Sequence, residues 1–330
     1  MSKSFNFEFF MSQVEQVRNI KDDDKIQISL ILYGARKSPC ILKKCKNRDL
    51  SAVYEKLKEI KHQNLVVIYD YIYEDGDTYV VEEYINGMTL REIMKQYGIF
   101  REDQTIKIIK DVCKGLKMLH SQNPPIIHND IKTSNIMIKD DGMIKLFDFD
   151  IARLYRMDAT KNTRLFGTEE YAAPEHFGYG QSEQRTDIYS LGVTMHEMLT
   201  GEILDINHRI TYEGILKNIL EKCVKIDKEQ RWDNIDALMR ELNDLKKQMK
   251  LHKSTQNKQP DDLIKIYEKW GIEDRRGGLL SIYKEAVKKE SQKPNKFVDN
   301  LNADNENAEV GTFDIFGNTL NIWDSIRKKG

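Results

Sequence analysis

The sequence predicts a two-lobed α+β molecule, from a switch in hydrophobic period near residue 89 and a chain long enough to enclose a cleft between two cores. Residues 14–84 alternate apolar and polar side chains in short runs bounded by turn residues, the period-two pattern of half-buried strands. From Thr89 onward apolar residues recur at helical spacing. Strands first and helices afterwards is the order of an α+β fold. The 330 residues exceed what one average core requires.

Taken in order, the strand-like runs are residues 14–20, 25–33, 40–45, 65–73 and 78–83, punctuated by turns such as Asp22-Asp23-Asp24 and Asp75-Gly76-Asp77. One helix, about residues 50–61, interrupts them. In the second part Ile106, Ile109, Val112, Cys113, Leu116, Leu119 and His120 fall near one face of a long helix. Further helices are predicted at about 185–199, 212–223 and 232–250. The polar run Lys253-Ser254-Thr255-Gln256-Asn257-Lys258-Gln259-Pro260 predicts a linker. Beyond it come short helical patterns at 261–270 and 279–289, a polar stretch at 291–311, and a final segment holding Phe313, Phe316 and Trp323. The domain reading is an N-terminal segment (1–13), a first lobe (14–86), a second lobe (87–250), a linker (251–260) and a partly helical extension (261–330) with a regulatory role.

A net charge of −1 with 32% charged residues means that acids and bases are interspersed, so no global field selects nucleic acid as a partner. The four cysteines (40, 45, 113, 223) form no C-x-x-C pair and the seven histidines no H-x-x-x-H, so neither zinc nor structural disulfides are expected. No run approaches the roughly 18 apolar residues of a membrane span. Residues 1–11 carry Glu8 and lack a small-residue cleavage site, so a reduced cytoplasm is the expected location.

The chemistry concentrates in His128-Asn129-Asp130-Ile131-Lys132-Thr133-Ser134-Asn135 and in Phe147-Asp148-Phe149-Asp150. Phosphoryl transfer asks a protein mainly to position groups and neutralise charge. Asp130 can accept or orient the proton of an attacking hydroxyl, and Lys132 can reach a γ-phosphate. Asn135 and Asp148 offer the hard oxygen ligands that Mg²⁺ prefers. Strands at 135–138 and 144–149, joined through Asp140-Asp141-Gly142, would bring these groups together as a hairpin. Any one of these Asp or Asn residues alone reads as a turn cap; the joint spacing carries the chemistry.

These segments resemble the catalytic loop and the magnesium-binding loop of the eukaryotic-type (Hanks-type) serine/threonine protein kinases. Later markers follow in the family's order: Gly167-Thr168, Ala173-Pro174-Glu175 and Asp187-Ile188-Tyr189-Ser190-Leu191-Gly192. The resemblance covers about residues 14–250, and the wording around Ala173-Pro174-Glu175 is similar to bacterial members. It implies a bilobal kinase-like fold, ATP with Mg²⁺ (or Mn²⁺), a protein substrate, and a catalytic set of Asp130, Lys132 and Lys43. It implies further that Lys43 meets the α- and β-phosphates, that Ile41 touches adenine, and that Glu83 to Ile85 form the hinge, with Glu82 at the gatekeeper position. Lys44, on the opposite strand face, is a solvated lysine. Structural roles fall to Thr168 between Asp130 and Lys132, to a Glu175–Arg231 pair, and to a stack of Leu57, Ile68, His128 and Phe149 anchored by Asp187. Thr160 and Thr163 are candidate phosphosites, near Arg153, Arg156 and Arg164.

Four departures stand beside this pattern. The Gly-rich phosphate lid is replaced by Asn19-Ile20-Lys21-Asp22-Asp23-Asp24-Lys25, where only Mg²⁺ or the flanking Lys21 and Lys25 would offset the carboxylates. Val53 occupies the helix position of the glutamate that pairs with the nucleotide lysine, and Glu55, two residues on, faces elsewhere unless the helix shifts. Asp150 replaces the motif glycine, either strengthening Mg²⁺ binding or facing solvent, and Asn129 replaces the arginine that clamps a phosphorylated loop. Two function classes therefore stay open: an active kinase that also phosphorylates itself, and a pseudokinase scaffold that binds and regulates a partner. The extension 261–330 is expected to dock within the chain or to join a homodimer.

Overall fold

The period-two runs of the first lobe assemble into a single antiparallel sheet. The structure is a computed structural model and describes residues 2–155, 168–177, 181–204, 209–255, 312–313 and 319–320. Strands β1 (Val14–Asp22), β2 (Ile26–Tyr33), β3 (Ser38–Cys45), β4 (Ile68–Glu74) and β5 (Asp77–Glu83) lie in the order β1-β2-β3-β5-β4. Strand alternation splits β3 between two faces. Cys40 and Leu42 pack with Ile31, Val81 and Phe10 of helix α1 (Ser2–Ser12). Lys43 and Cys45 point to the other face, where helix α2 (Ser51–Glu59) buries Val53, Tyr54 and Leu57.

β4 starts three residues later than its sequence pattern suggests, because the second lobe claims the backbone before it. Leu65 bridges Leu146, and the Val66 N–H donates to the Leu146 carbonyl at 3.0 Å. Asn64 completes this joint by donating from Nδ2 to the Ile144 carbonyl at 2.9 Å. The approach depends on Gly115 of the long second-lobe helix, where a Cβ would stand 2.9 Å from Leu65 Cδ2 and 3.1 Å from the Asn64 carbonyl.

In the second lobe β6 (Gly87–Thr89) leads into α3 (Leu90–Tyr97), started by a reciprocal Thr89–Glu92 capping box, and α4 (Glu102–His120) presents the predicted apolar face. Strand β7 (Ile126–Ile127) pairs with β10 (Arg153–Leu154), and β8 (Ile136–Lys139) and β9 (Ile144–Leu146) form a sheet with β6. α5 (Gln184–Thr200) is buried on all sides from Thr186 to Leu199, the mark of a core helix.

Helix boundaries in the second lobe differ from expectation as well. α6 (Lys217–Cys223) begins well after residue 212, because Glu102 of α4 takes the Tyr212 hydroxyl and the Ile215 N–H and holds that stretch as a turn. α7 (Ile235–Thr255) runs past residue 250 into the predicted linker, since a helix already nucleated propagates through polar residues without needing an apolar face. In the extension, β11 (Thr312–Phe313) pairs with β12 (Thr319–Leu320). The helical patterns at 261–270 and 279–289, Phe316 and Trp323 lie outside the described residues.

Candidate active site

The β8–β9 hairpin and the loops at its ends carry the groups singled out from the sequence. β8 is shifted by one residue from expectation and β9 is shorter: Asn135 closes a one-turn 3₁₀ helix, Thr133–Asn135, and residues after Leu146 leave the ladder. Asp148 then adopts a left-handed backbone (φ 71°), as does Asn129 (φ 65°). Asx residues tolerate this region best, as Asn47 and Asp75 do in turns of the first lobe.

Asp130 sits in a closed polar network. Its Oδ2 accepts from Lys132 Nζ at 2.7 Å and from Asn135 Nδ2 at 2.8 Å, and its Oδ1 accepts from the Thr168 hydroxyl at 2.9 Å. Lys132 Nζ also donates to Thr168 Oγ1 at 2.6 Å, so the three side chains form a triangle. With its nitrogen committed to Asp130, the Asn135 amide has its oxygen on the opposite branch.

This network stands on buried supports. Asp187, at the start of α5, accepts from the backbone N–H of His128 (3.0 Å) and of Asn129 (2.9 Å), and bonds His120 Nε2 at 2.8 Å. Burial works against its ionisation, but the His120 contact and the backbone donors hold its carboxyl below the usual range. The His128 ring lies 5.1 Å from Phe149, and Leu57, Ile68, His128 and Phe149 are all buried. Asn129 carries no charge to offer a phosphate. It donates from Nδ2 to the Ile127 and Ile151 carbonyls, and its Oδ1 meets His176 Nε2 at 3.0 Å. Arg231 grips Glu175 with two bonds of 2.8 and 2.9 Å, both groups fully enclosed, and Thr186 adds a third bond to the same carboxylate.

Across the cleft, Lys43 is 3% exposed and meets two carboxylates. Its Nζ lies 2.7 Å from Asp148 Oδ1 and 2.6 Å from Asp150 Oδ1. Burial opposes the ammonium, yet Asp148, Asp150 and Glu82 outweigh it and raise the lysine above its ordinary value. Burial likewise opposes ionisation of Asp148, but Lys43 holds it well below the carboxylate range. Burial and the charge of Asp148 push Asp150 up to about 6. Glu82 is buried with its Oε2 unpartnered, and desolvation pushes it up to about 7 although Lys43 pulls the other way. Glu55 does not reach this cluster: it accepts from the Tyr71 hydroxyl on β4, and Val53 is packed into the core. Asp150, read from sequence as a metal-strengthening or solvent-facing residue, is instead a partner of Lys43.

Of the two lysines expected to offset the hairpin at the lid position, Lys21 does so and Lys46, just after β3, takes the place of Lys25. Lys21 pairs with Asp23 at 2.9 Å, while Lys46, rather than Lys25, pairs with Asp22 at 2.6 Å. Asp23 also caps the turn by accepting from the Lys25 and Ile26 N–H groups, both at 2.9 Å. At the hinge, the Glu83 N–H donates to the Val67 carbonyl, and its side chain takes the buried Lys145 ammonium at 2.7 Å and the Val67 N–H at 3.1 Å. Lys145 donates in turn to the Leu65 carbonyl at 3.0 Å, so one ion pair ties the hinge to β9. Nothing at sequence level pointed to it, since a lysine three residues before Asp148 reads as surface. Ile41 faces Glu82 across β3 and β5, and Ile85 is half-buried after the hinge strand.

Among the described residues, no group of three or more His, Cys, Asp or Glu side chains converges to hold a metal by itself. Mg²⁺ is commonly held by one or two carboxylates with substrate phosphates supplying the remaining oxygens. Asp148 and Asn135 are the donors of suitable type here. Thr160 and Thr163, with Arg156, Arg164 and Gly167, lie outside the described residues.

A family model described as protein kinase domain matches residues 36–261. The serine/threonine-protein kinase PknB of Mycobacterium leprae is 30% identical over 198 residues, covering 58% of this chain and 31% of that protein. The probable serine/threonine-protein kinase PknB of Lactococcus lactis is 33% identical over 148 residues, 44% of this chain and 23% of that one. A probable serine/threonine-protein kinase of Clostridium acetobutylicum is 30% identical over 208 residues, 57% and 31% respectively. The matched region thus spans about a third or less of each relative, between 23% and 31%.

Proposed function

This chain belongs to the protein kinase family, and on that premise we propose that it transfers the γ-phosphate of ATP to serine or threonine hydroxyls of protein substrates, its own chain included. The triangle of Asp130, Lys132 and Thr168 beside Asn135 is the observation that carries this reading. Asp130 is the one carboxylate of that triangle and orients the attacking hydroxyl, accepting its proton as the bond to phosphorus forms. Lys132 balances charge on the transferred phosphoryl oxygens, and Thr168 fixes the lysine and the aspartate relative to each other. Lys43 holds the α- and β-phosphates, while Ile41 and the hinge from Glu83 to Ile85 receive adenine. Asn135 and Asp148 would hold Mg²⁺, whose charge would offset that of the phosphates.

The preformed network around Asp130 favours an active enzyme over a scaffold, because a scaffold has no use for a lysine and a threonine locked to that carboxylate. Transfer of labelled phosphate from ATP to the chain itself or to a generic protein acceptor, lost in Asp130→Ala and in Asp148→Ala, is the expected result. No transfer by a well-folded preparation sinks the reading. The scaffold reading has the acidic hairpin in its support; it predicts little stabilisation by Mg²⁺-ATP in a thermal-shift titration.

Thr160 and Thr163 are the proposed sites of self-modification, and residues 14–86 and 87–250 the proposed lobes. No helix among the described residues is long and apolar enough to cross a membrane. A cytoplasmic setting, the absence of nucleic-acid partners, and docking or dimerisation through residues 261–330 belong to the same proposal. Truncation after residue 260 tests the last of these: unchanged activity and unchanged oligomeric state count against it.

A further inference from the structure

The carboxylate missing from α2 and the extra one after Phe149 are complementary, and we propose that Asp150 is the positioning residue for Lys43, holding from the second lobe an ammonium that a helix glutamate would otherwise hold. The proposal rests on the kinase reading above and deepens it.

Four observations converge. A lysine 3% exposed requires a close carboxylate, because a desolvated ammonium without one is strongly unfavourable. α2 supplies none: Val53 is apolar and Glu55 is engaged with Tyr71. Of the two carboxylates in contact with Lys43, Asp148 is the one a divalent cation requires, so the partner that stays with the lysine when nucleotide binds is Asp150, at 2.6 Å. Asp150 is itself held in place: its Oδ1 accepts from the Tyr54 hydroxyl of α2 at 3.4 Å and contacts Cys45 Sγ at 3.8 Å. α2 therefore still takes part, through a hydroxyl that steadies the acid. The backbone also permits the exchange, since the left-handed residue of this loop is Asp148 and not Asp150.

The arrangement changes what can regulate the site. A lysine paired with a helix glutamate is released when the helix swings away. Here the acid lies two residues from Asp148 in the same loop, so Lys43 is set by the order of that loop.

The test is a double-mutant cycle on the full chain with Lys43→Ala, Asp150→Asn and both together, and Asp150→Glu as the conservative variant. Steady-state phosphorylation should show Asp150→Asn lowering kcat/KM for ATP about 10- to 100-fold, mainly through KM, with Asp150→Glu recovering most of the loss. In the Lys43→Ala background the same change should shift kcat/KM by less than about twofold. Losses that multiply, or an Asp150→Asn enzyme within about twofold of wild type, overturn the proposal. Melting temperatures of the four nucleotide-free proteins read the pair without turnover: each single change lowers the value, and the double change lowers it by less than the sum. Additive shifts also overturn the proposal. If wild type transfers no phosphate, the kinase reading fails while the melting cycle still decides whether Asp150 holds Lys43.

Discussion

The two walls of the cleft keep their charges in place by different means. On the second-lobe wall each functional side chain is tied to neighbours from its own motif set: Asp130 to Lys132, Thr168 and Asn135, and Glu175 to Arg231. On the first-lobe wall the expected partners are absent and others stand in, Asp150 for a helix acid and Lys46 for a hairpin lysine. In the proposed function the second-lobe wall makes the bond, where misplacement by an ångström is expensive, so its contacts leave little freedom. The first-lobe wall is proposed to grip a nucleotide, and several arrangements of one cation among acids give a similar field. Chemistry constrains residue identity where atoms react, and constrains only net charge where a substrate is held.

That contrast is broken most severely at the reacting wall. Asp130→Asn keeps the size of the side chain and removes the base, so phosphoryl transfer should fall by about 10³- to 10⁴-fold in a labelled-phosphate assay. Melting should shift little, because the amide oxygen still accepts from Lys132 and Asn135 while the amide nitrogen donates to the Thr168 hydroxyl, which turns from donor to acceptor. A fall of less than tenfold would mean that the catalytic wall is as replaceable as the nucleotide wall. The Glu175–Arg231 pair provides the next effect, on stability. Glu175→Ala strands a fully buried guanidinium and should destabilise the fold by about 3–5 kcal/mol in denaturant titrations. Replacing both by apolar residues of similar volume should recover most of that.

The unequal constraint also governs what could be read from the sequence. Asp130, Lys132, Asn135 and Asp148 could be singled out because groups proposed to react must keep their type and spacing, and the structure joins Asp130, Lys132 and Asn135 in one network. The strands were legible because burying one face imposes period two, and the ends that slipped did so through contacts made across the fold. β4 lost its first residues to Leu146, and α6 lost its first turn to Glu102. The Asp150–Lys43 and Glu83–Lys145 pairs span 107 and 62 positions, and a single sequence carries no sign of which lysine meets which acid. One signal was nevertheless present for the first pair: an acid is missing at Val53 and one is gained at Asp150.

Glu82 tests whether the nucleotide wall tolerates charge at a stability cost. The groups that bear on it are Lys43, which favours its ionisation, and Asp148, Asp150 and Glu83, which oppose it. Its carboxyl rises from an ordinary 4.5 to about 7 on folding, so the folded chain holds this proton more tightly than the unfolded chain. The sign follows. Below about pH 4.5 both states are protonated and Glu82 is neutral in effect; between 4.5 and 7 the unfolded state gains by ionising, and stability falls as pH rises; above 7 the penalty is complete. At about 1.4 kcal/mol per pH unit the penalty is of order 3 kcal/mol. Glu82→Gln should therefore stabilise the protein at pH 8 and scarcely at pH 4.5 in parallel melts. A gain independent of pH would assign the effect to packing.

The smallest effects belong to the hairpin at the lid position, where the three acids differ in what holds them. Asp22 and Asp23 are paired with Lys46 and Lys21, and Asp23 also closes the turn through two backbone N–H groups. Asp23→Ala makes the hairpin one charge more positive, since it removes an acid and leaves Lys21 without it. Its mark should be faster amide hydrogen exchange at Lys25 and Ile26, the two donors that lose their acceptor. Asp24 is exposed and makes no such contact with the turn, so its charge acts on the phosphates only through solvent. Asp24→Asn should tighten ATP binding by no more than about twofold at low ionic strength, and the gain should vanish near physiological salt, where exposed charges are screened beyond about 8 Å. A tenfold gain that persists in salt would place this acid against the phosphates, and the hairpin would then be a working lid with its charge reversed.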